Sequence, residues 1–143
     1  MLLYNPVLDL TEGDWIRFVI GGPGLNDKKI HGTIHRKTSP GLHVRPGQPP
    51  ALLVHGLDDK VVPPSQAERF AAAAKVAGNR CDLILLPATS HAFIVPRYKA
   101  PESAVVSAIR SADTFLVSLG WLSGEPTLER SQPPPGKNSH NPA

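Results

Sequence analysis

Apolar positions organise the second half of the chain. Ala51-Leu52-Leu53-Val54-His55-Gly56 is an almost unbroken apolar run without alternation, which predicts a strand buried on both faces of a parallel sheet. Over residues 66–77, Ala67, Phe70, Ala71 and Ala74 recur at helical spacing. Pro64 suits the first turn of that helix and Gly78 its stop. Residues 81–86 predict a second buried strand, closed by the turn Pro87-Ala88-Thr89-Ser90. A last helix opens at Pro101, carries Ala104, Val105, Ala108, Ala112, Phe115, Leu116 and Leu119 as its apolar stripe, and ends at Gly120. Near the start, residues 2–8 read as one short strand. Residues 11–50 are rich in turn chemistry, including Gly21-Gly22-Pro23-Gly24, Ser39-Pro40-Gly41 and Pro49-Pro50, and read as loop-rich; residues 15–20 fit either a strand or one short helix. From Gly124 the chain turns to Pro, Ser, Asn and charge, which predicts a disordered tail over 124–143 behind a single domain at 1–123.

Strand, helix, strand, helix from residue 51 onward argues for an α/β fold: a short, mostly parallel sheet of about three strands with right-handed crossovers and flanking helices. In open sheets of this kind, chemistry lies beyond the carboxyl ends of the strands. Two loops leave such ends, one carrying Asp58-Asp59 and the other His91, so both open on one rim. A carboxylate there can orient an imidazole through one ring nitrogen while the other takes a proton from a nucleophile. Spacing alone leaves His91 free to be an ordinary turn residue.

Composition removes several other functions. A length of 143 residues predicts one domain. The net charge of +3 is spread thinly, with no basic stripe interleaved with aromatics, so no nucleic-acid partner is expected. The apolar runs fall far short of the ~20 residues of a membrane span. Cys81 is the sole cysteine, which rules out a disulfide framework and a cysteine-built zinc site. His31 and His35 stand four apart, but Gly32 and the surrounding turns argue against a helix and hence against a metal pair. Residues 21–24 lack the Lys and Ser/Thr of a phosphate cradle. Neither metal nor cofactor is implied. Met1-Leu2-Leu3-Tyr4-Asn5-Pro6 does not read as a signal peptide. The compartment stays open, with the cytoplasm as default and secretion allowed if the start is truncated.

The motif His55-Gly56-Leu57-Asp58-Asp59-Lys60-Val61-Val62-Pro63, followed by a helix, the strand 81–86 and Ser90-His91-Ala92-Phe93, resembles the C-terminal half of α/β-hydrolase esterases and lipases. The likeness is to the acetyl-xylan-esterase-like group, near prolyl-oligopeptidase and dienelactone-hydrolase relatives, over residues 1–10 and 38–123. It implies a carboxylic ester hydrolase of short-acyl or carbohydrate esters, with Asp59 as triad acid and His91 as triad base. Asp58 falls on a variable position and is expected to be a solvated neighbour. His55 matches the motif's histidine at the strand end and is expected to pack. The resemblance implies Gly on both sides of the base, where this chain has Ser90 and Ala92.

Family members carry a Gly-x-Ser-x-Gly elbow ahead of the acid and base. No such motif occurs in this sequence, nor does a His-Gly-Gly-Gly oxyanion loop. Ser39, Ser65, Ser90 and Ser103 do not sit on a strand-to-helix elbow. The expectation is a partial α/β-hydrolase fold with the N-terminal strands and nucleophile elbow missing, inactive alone. Its strand 2–8 would be an open apolar edge inviting a second copy or a complementing chain. That leaves a second reading open: a non-catalytic interaction module, or a split-enzyme half, that pairs through this strand.

Overall fold

The computed structural model describes residues 1–12, 28–95, 100–126 and 128, with only the backbone of 28–32. Its elements run β1 (Leu2–Tyr4), α1 (Lys28–Thr38), a 3-10 turn (Pro40–His43), β2 (Ala51–Gly56), α2 (Ser65–Val76), β3 (Cys81–Leu86) and α3 (Glu102–Ser118). The strands form one parallel sheet in the order β1-β2-β3, with Leu2 opposite Leu52 and Ala51 opposite Cys81.

All six residues of central β2 are buried. Ala51 and Leu53 pack with Leu8, Ala67 and Phe70 on the α2 side. Leu52 and Val54 pack with Leu86, Phe93, Ala104, Ala108, Ala112 and Phe115 on the α3 side. Burial on both faces leaves no position for a polar side chain, so the run does not alternate. The buried line of α3 is Ala104, Ala108, Ala112 and Phe115, whose three methyl side chains fill little space and let helix and strand approach. Leu116 and Leu119, part of the predicted stripe, are only partly buried at its margin.

The first strand is shorter than the predicted 2–8 and ends at Tyr4. Asn5 turns to a φ of +43°, and Pro6 has no N–H to offer a ladder. Side chains then hold the segment that the sheet releases. Gln66 Oε1 accepts the Leu8 and Asp9 N–H groups at 3.0 and 2.9 Å, and its Nε2 donates to the Asp9 carbonyl at 3.0 Å. Gly41 N–H donates to the Leu8 carbonyl at 2.7 Å. Leu8 therefore reaches the core from a tethered loop.

The expectation that Gly32 prevents a helix is overturned, because α1 runs through it. One interior glycine costs a helix only about 1 kcal/mol. Arg36 and Lys37 in the last turn complement the carbonyl end of the helix dipole. Ser39 closes the element, donating its hydroxyl to the His35 carbonyl at 2.6 Å and accepting the Leu10 N–H at 2.7 Å. His31 and His35 thus do stand one turn apart on a helix. Among the described residues no three His, Cys, Asp or Glu side chains converge as a metal site would require. Residues 15–20 and 21–24 and the tail from 129 onward lie outside the described residues. No described helix is long and apolar enough to cross a membrane.

Candidate active site

β2 and β3 are parallel and paired through Gly56 and Leu86, so the loops that follow them leave the same edge. Two backbone bonds join those loops: Leu57 N–H to the Leu86 carbonyl at 2.9 Å and Asp58 N–H to the Thr89 carbonyl at 3.0 Å. The two candidates from the sequence are brought together here. His91 Nδ1 lies 2.8 Å from Asp59 Oδ2.

The Asp59 side chain is fully buried, and a buried carboxylate must have its lone pairs occupied. Oδ1 accepts the N–H groups of Val61 and Val62 at 2.9 and 2.8 Å, a local turn that the short Asp side chain makes with its own backbone. Oδ2 faces His91 Nδ1 and also, at 3.2 Å, His55 Nε2. His91 is anchored through Nδ1 and one-third exposed, and its Nε2 makes no hydrogen bond among the described residues. Asp58 is exposed, as expected for a solvated neighbour.

Asn5, not foreseen as a site residue, fixes this rim. Its Oδ1 accepts the Gly56 N–H at 3.1 Å and its Nδ2 donates to the Ser90 carbonyl at 3.2 Å, so one amide ties the ends of β1 and β2 to the residue before His91. An Asn-Pro strand terminator is its only trace in the sequence. The role of His55 was equally hidden. It is fully buried, as a packing residue would be, yet its Nε2 touches the carboxylate.

The backbone beside the base is strained. Ala92 has a φ of +57°, in the left-handed region where a Cβ meets the following carbonyl, at the position where the family resemblance implies glycine. Ala92→Gly relieves that contact but raises the entropy of the unfolded chain. The expected net gain is about 0.5 kcal/mol of unfolding free energy, read as a higher urea midpoint at constant slope.

Other nucleophile candidates fall away from this point. Ser39 is consumed in closing α1. No serine hydroxyl among the described residues bonds to His91. Cys81 opens β3, at the end opposite the rim, and burial together with the nearby Asp82 carboxylate pushes its thiol up, away from the reactive thiolate. What remains is an imidazole fixed on one nitrogen and, among the described residues, open on the other, fit to take a proton from a hydroxyl brought to it.

Comparison with known proteins agrees with the fold. The model of the prolyl oligopeptidase family matches residues 3–108, a span that includes Asp59 and His91. An acetylxylan esterase of Xylanibacter ruminicola is 30% identical over 98 residues, 64% of this chain and 20% of that protein. Among solved structures, the apo form of Thermogutta terrifontis esterase 2 superposes with a TM-score of 0.67 at 34% identity, covering 87% of this chain and 43% of that one. The butyrate-bound form of the same esterase gives a TM-score of 0.65 at 30% identity, covering 87% and 45%. The chain thus spans less than half the length of these relatives, and its three-stranded sheet is a partial α/β-hydrolase fold. With most of its length matched by the family model, this chain belongs to the prolyl oligopeptidase family and is an esterase-like α/β-hydrolase.

Proposed function

We propose that this chain carries the acid and base of a carboxylic ester hydrolase, Asp59 and His91, acting on short-acyl esters, including acyl groups on carbohydrate. The nucleophilic serine and oxyanion donors come from polypeptide outside these 143 residues. The observation that carries this reading is the 2.8 Å contact between His91 Nδ1 and a fully buried Asp59 carboxylate, with Nε2 left open. His91 Nε2 accepts the serine proton as the hydroxyl oxygen attacks the acyl carbonyl. Asp59 stabilises the imidazolium that results, and Nε2–H then passes the proton to the departing alkoxide. A water activated by the same nitrogen releases the acyl group. Acetate, propionate and butyrate are the acyl sizes suggested by the esterases this chain resembles.

The opposite edge of β1 supports the complementing half. β1 pairs only with β2 among the described residues, and Met1 and Leu2 beside that edge are exposed. Such an edge offers unpaired N–H and C=O groups to a further parallel strand. The natural occupant is the strand of the serine-bearing part.

The test uses p-nitrophenyl acetate and butyrate. The chain alone and its His91→Ala variant are expected to give equal rates at buffer level. Joined behind the part of Thermogutta terrifontis esterase 2 that it does not match, the chain is expected to turn over both substrates. Hydrolysis by the chain alone that vanishes in His91→Ala would place a nucleophile within it and overturn the split. Turnover by the joined protein that ignores His91→Ala would overturn the assignment of the base.

A further inference from the structure

We infer that His55 is a positioning residue for the acid–base pair, acting through Asp59. The inference rests on the reading of Asp59 and His91 given above. His55 lies on β2 and its side chain is fully buried. Its Nε2 stands 2.9 Å from the Val62 carbonyl and 3.2 Å from Asp59 Oδ2. Both neighbours are acceptors only, so Nε2 is the nitrogen that carries the proton, and it donates to the two together. The ring's other nitrogen, Nδ1, is buried without a hydrogen-bond partner among the described residues. A side chain retained only for packing would do better without that buried acceptor. What the imidazole supplies in return is the Nε2–H.

The consequence for Asp59 is geometric. Its Oδ1 is held by the Val61 and Val62 N–H groups. Those two bonds engage one oxygen only, and among the described residues no backbone N–H donates to Oδ2. The His55 N–H anchors the second oxygen, damps the libration of the carboxylate and holds Oδ2 where His91 Nδ1 finds it at 2.8 Å. Val62, whose carbonyl shares the same proton, is itself buried and fixes the height of the ring. A hydrogen bond to a partner already fixed costs less ordering when it forms. His55 touches no reacting atom; it acts by immobilising the acid that orients the base.

The experiment reads the downfield Nδ1–H proton of His91 by nitrogen-15 and proton NMR on the 143-residue chain, assigned by its disappearance in His91→Ala. In the unaltered protein the proton is expected to be visible and protected. His55→Leu, which fills the site but cannot donate, is expected to lose the resonance to solvent exchange while the remaining amide dispersion persists. His55→Gln, which returns an N–H near the Nε2 position, is expected to restore it. An unchanged resonance in folded His55→Leu overturns the inference. So does its loss in folded His55→Gln, which would mean the ring matters by shape alone. If His55→Leu does not fold, the imidazole nitrogen shifts of His55 in the unaltered chain decide, since a proton on Nδ1 with bare Nε2 overturns the inference without any variant. Absence of a protected His91 proton in the unaltered chain instead overturns the acid–base pair itself, so the two failures are distinct.

Discussion

In the proposed protein completed by a serine-bearing half, His91→Ala is expected to lower kcat for p-nitrophenyl butyrate by about 10⁶-fold, the scale of losing the base in serine hydrolases. Asp59→Asn is expected to cost about 10⁴-fold, because the amide no longer fixes the tautomer or stabilises the imidazolium. KM should move little in either variant, since neither group is assigned to holding the ester. The structure separates the two in stability. After His91→Ala, Asp59 keeps the Val61 and Val62 N–H groups and the His55 Nε2–H, so the buried charge stays satisfied and melting is expected to change little. After Asp59→Asn, the new amide N–H₂ must face either those backbone donors or the two histidine nitrogens. In the first case buried donors clash. In the second the rings must move their protons to the other nitrogen, so that the Val62 carbonyl loses the His55 N–H. Either way a loss of about 1–3 kcal/mol is expected. Activity and a thermal melt on the same preparations check both claims. A His91→Ala protein within tenfold of the parent would overturn the role of the base, whatever its stability.

How much of this was legible in the sequence depended on whether a feature was local. β2 follows from a continuous apolar run that two-sided burial explains. β3 follows from a mostly apolar run, although the expected burial is reached only at Leu86 and its other five residues are partly exposed at the sheet's edge. α2 and α3 follow from helical spacing with Gly78 and Gly120 just past their ends. The nearness of Asp59 and His91 follows from topology, since the two parallel strands had to release their loops on one rim. The length of β1 was not legible. Its end is set by the positive φ of Asn5 and by the remote Gln66, whose side chain replaces the ladder for Leu8 and Asp9 across more than fifty residues of sequence. α1 was not legible because an interior glycine counts against a helix locally, while the Leu10 N–H bond to Ser39 that anchors its end comes from a segment remote in sequence. Asn5 and His55 were invisible as site residues for the same reason. An amide that bridges two loops and an imidazole that shares one proton between two acceptors are properties of the assembled rim, and neither leaves a periodicity behind.

Gly56→Ala is expected to be the most damaging single methyl addition in the rim. Gly56 ends β2, and its φ lies outside the left-handed region, so the backbone itself would accept alanine. The obstacle is space. A Cβ there would lie 2.2 Å from the Thr89 carbonyl oxygen and 2.7 Å from its carbon, with the Ser90 oxygen at 3.2 Å. These are backbone atoms, and no rotamer change can relieve the contact. Either β2 and β3 separate at their last pair, or the loop carrying His91 shifts outward. The second route breaks the Asp58–Thr89 bond and strains the Asn5 bridge to Ser90. Overpacking against fixed atoms costs about 3 kcal/mol at the upper end of the usual range, and that loss is expected in the urea midpoint. Gly47→Ala is the control. Its φ of +80° makes alanine strained, but nothing lies within 4 Å of the added Cβ, so a cost of about 1 kcal/mol is expected. Comparing the two isolates the collision from the general cost of replacing glycine. If Gly56→Ala proves no worse than Gly47→Ala and keeps the protected His91 proton, the close approach of strand and loop is not what holds the base against Asp59. A larger loss, with that proton gone, ties the absence of a single side chain at the end of β2 to the geometry of the acid–base pair.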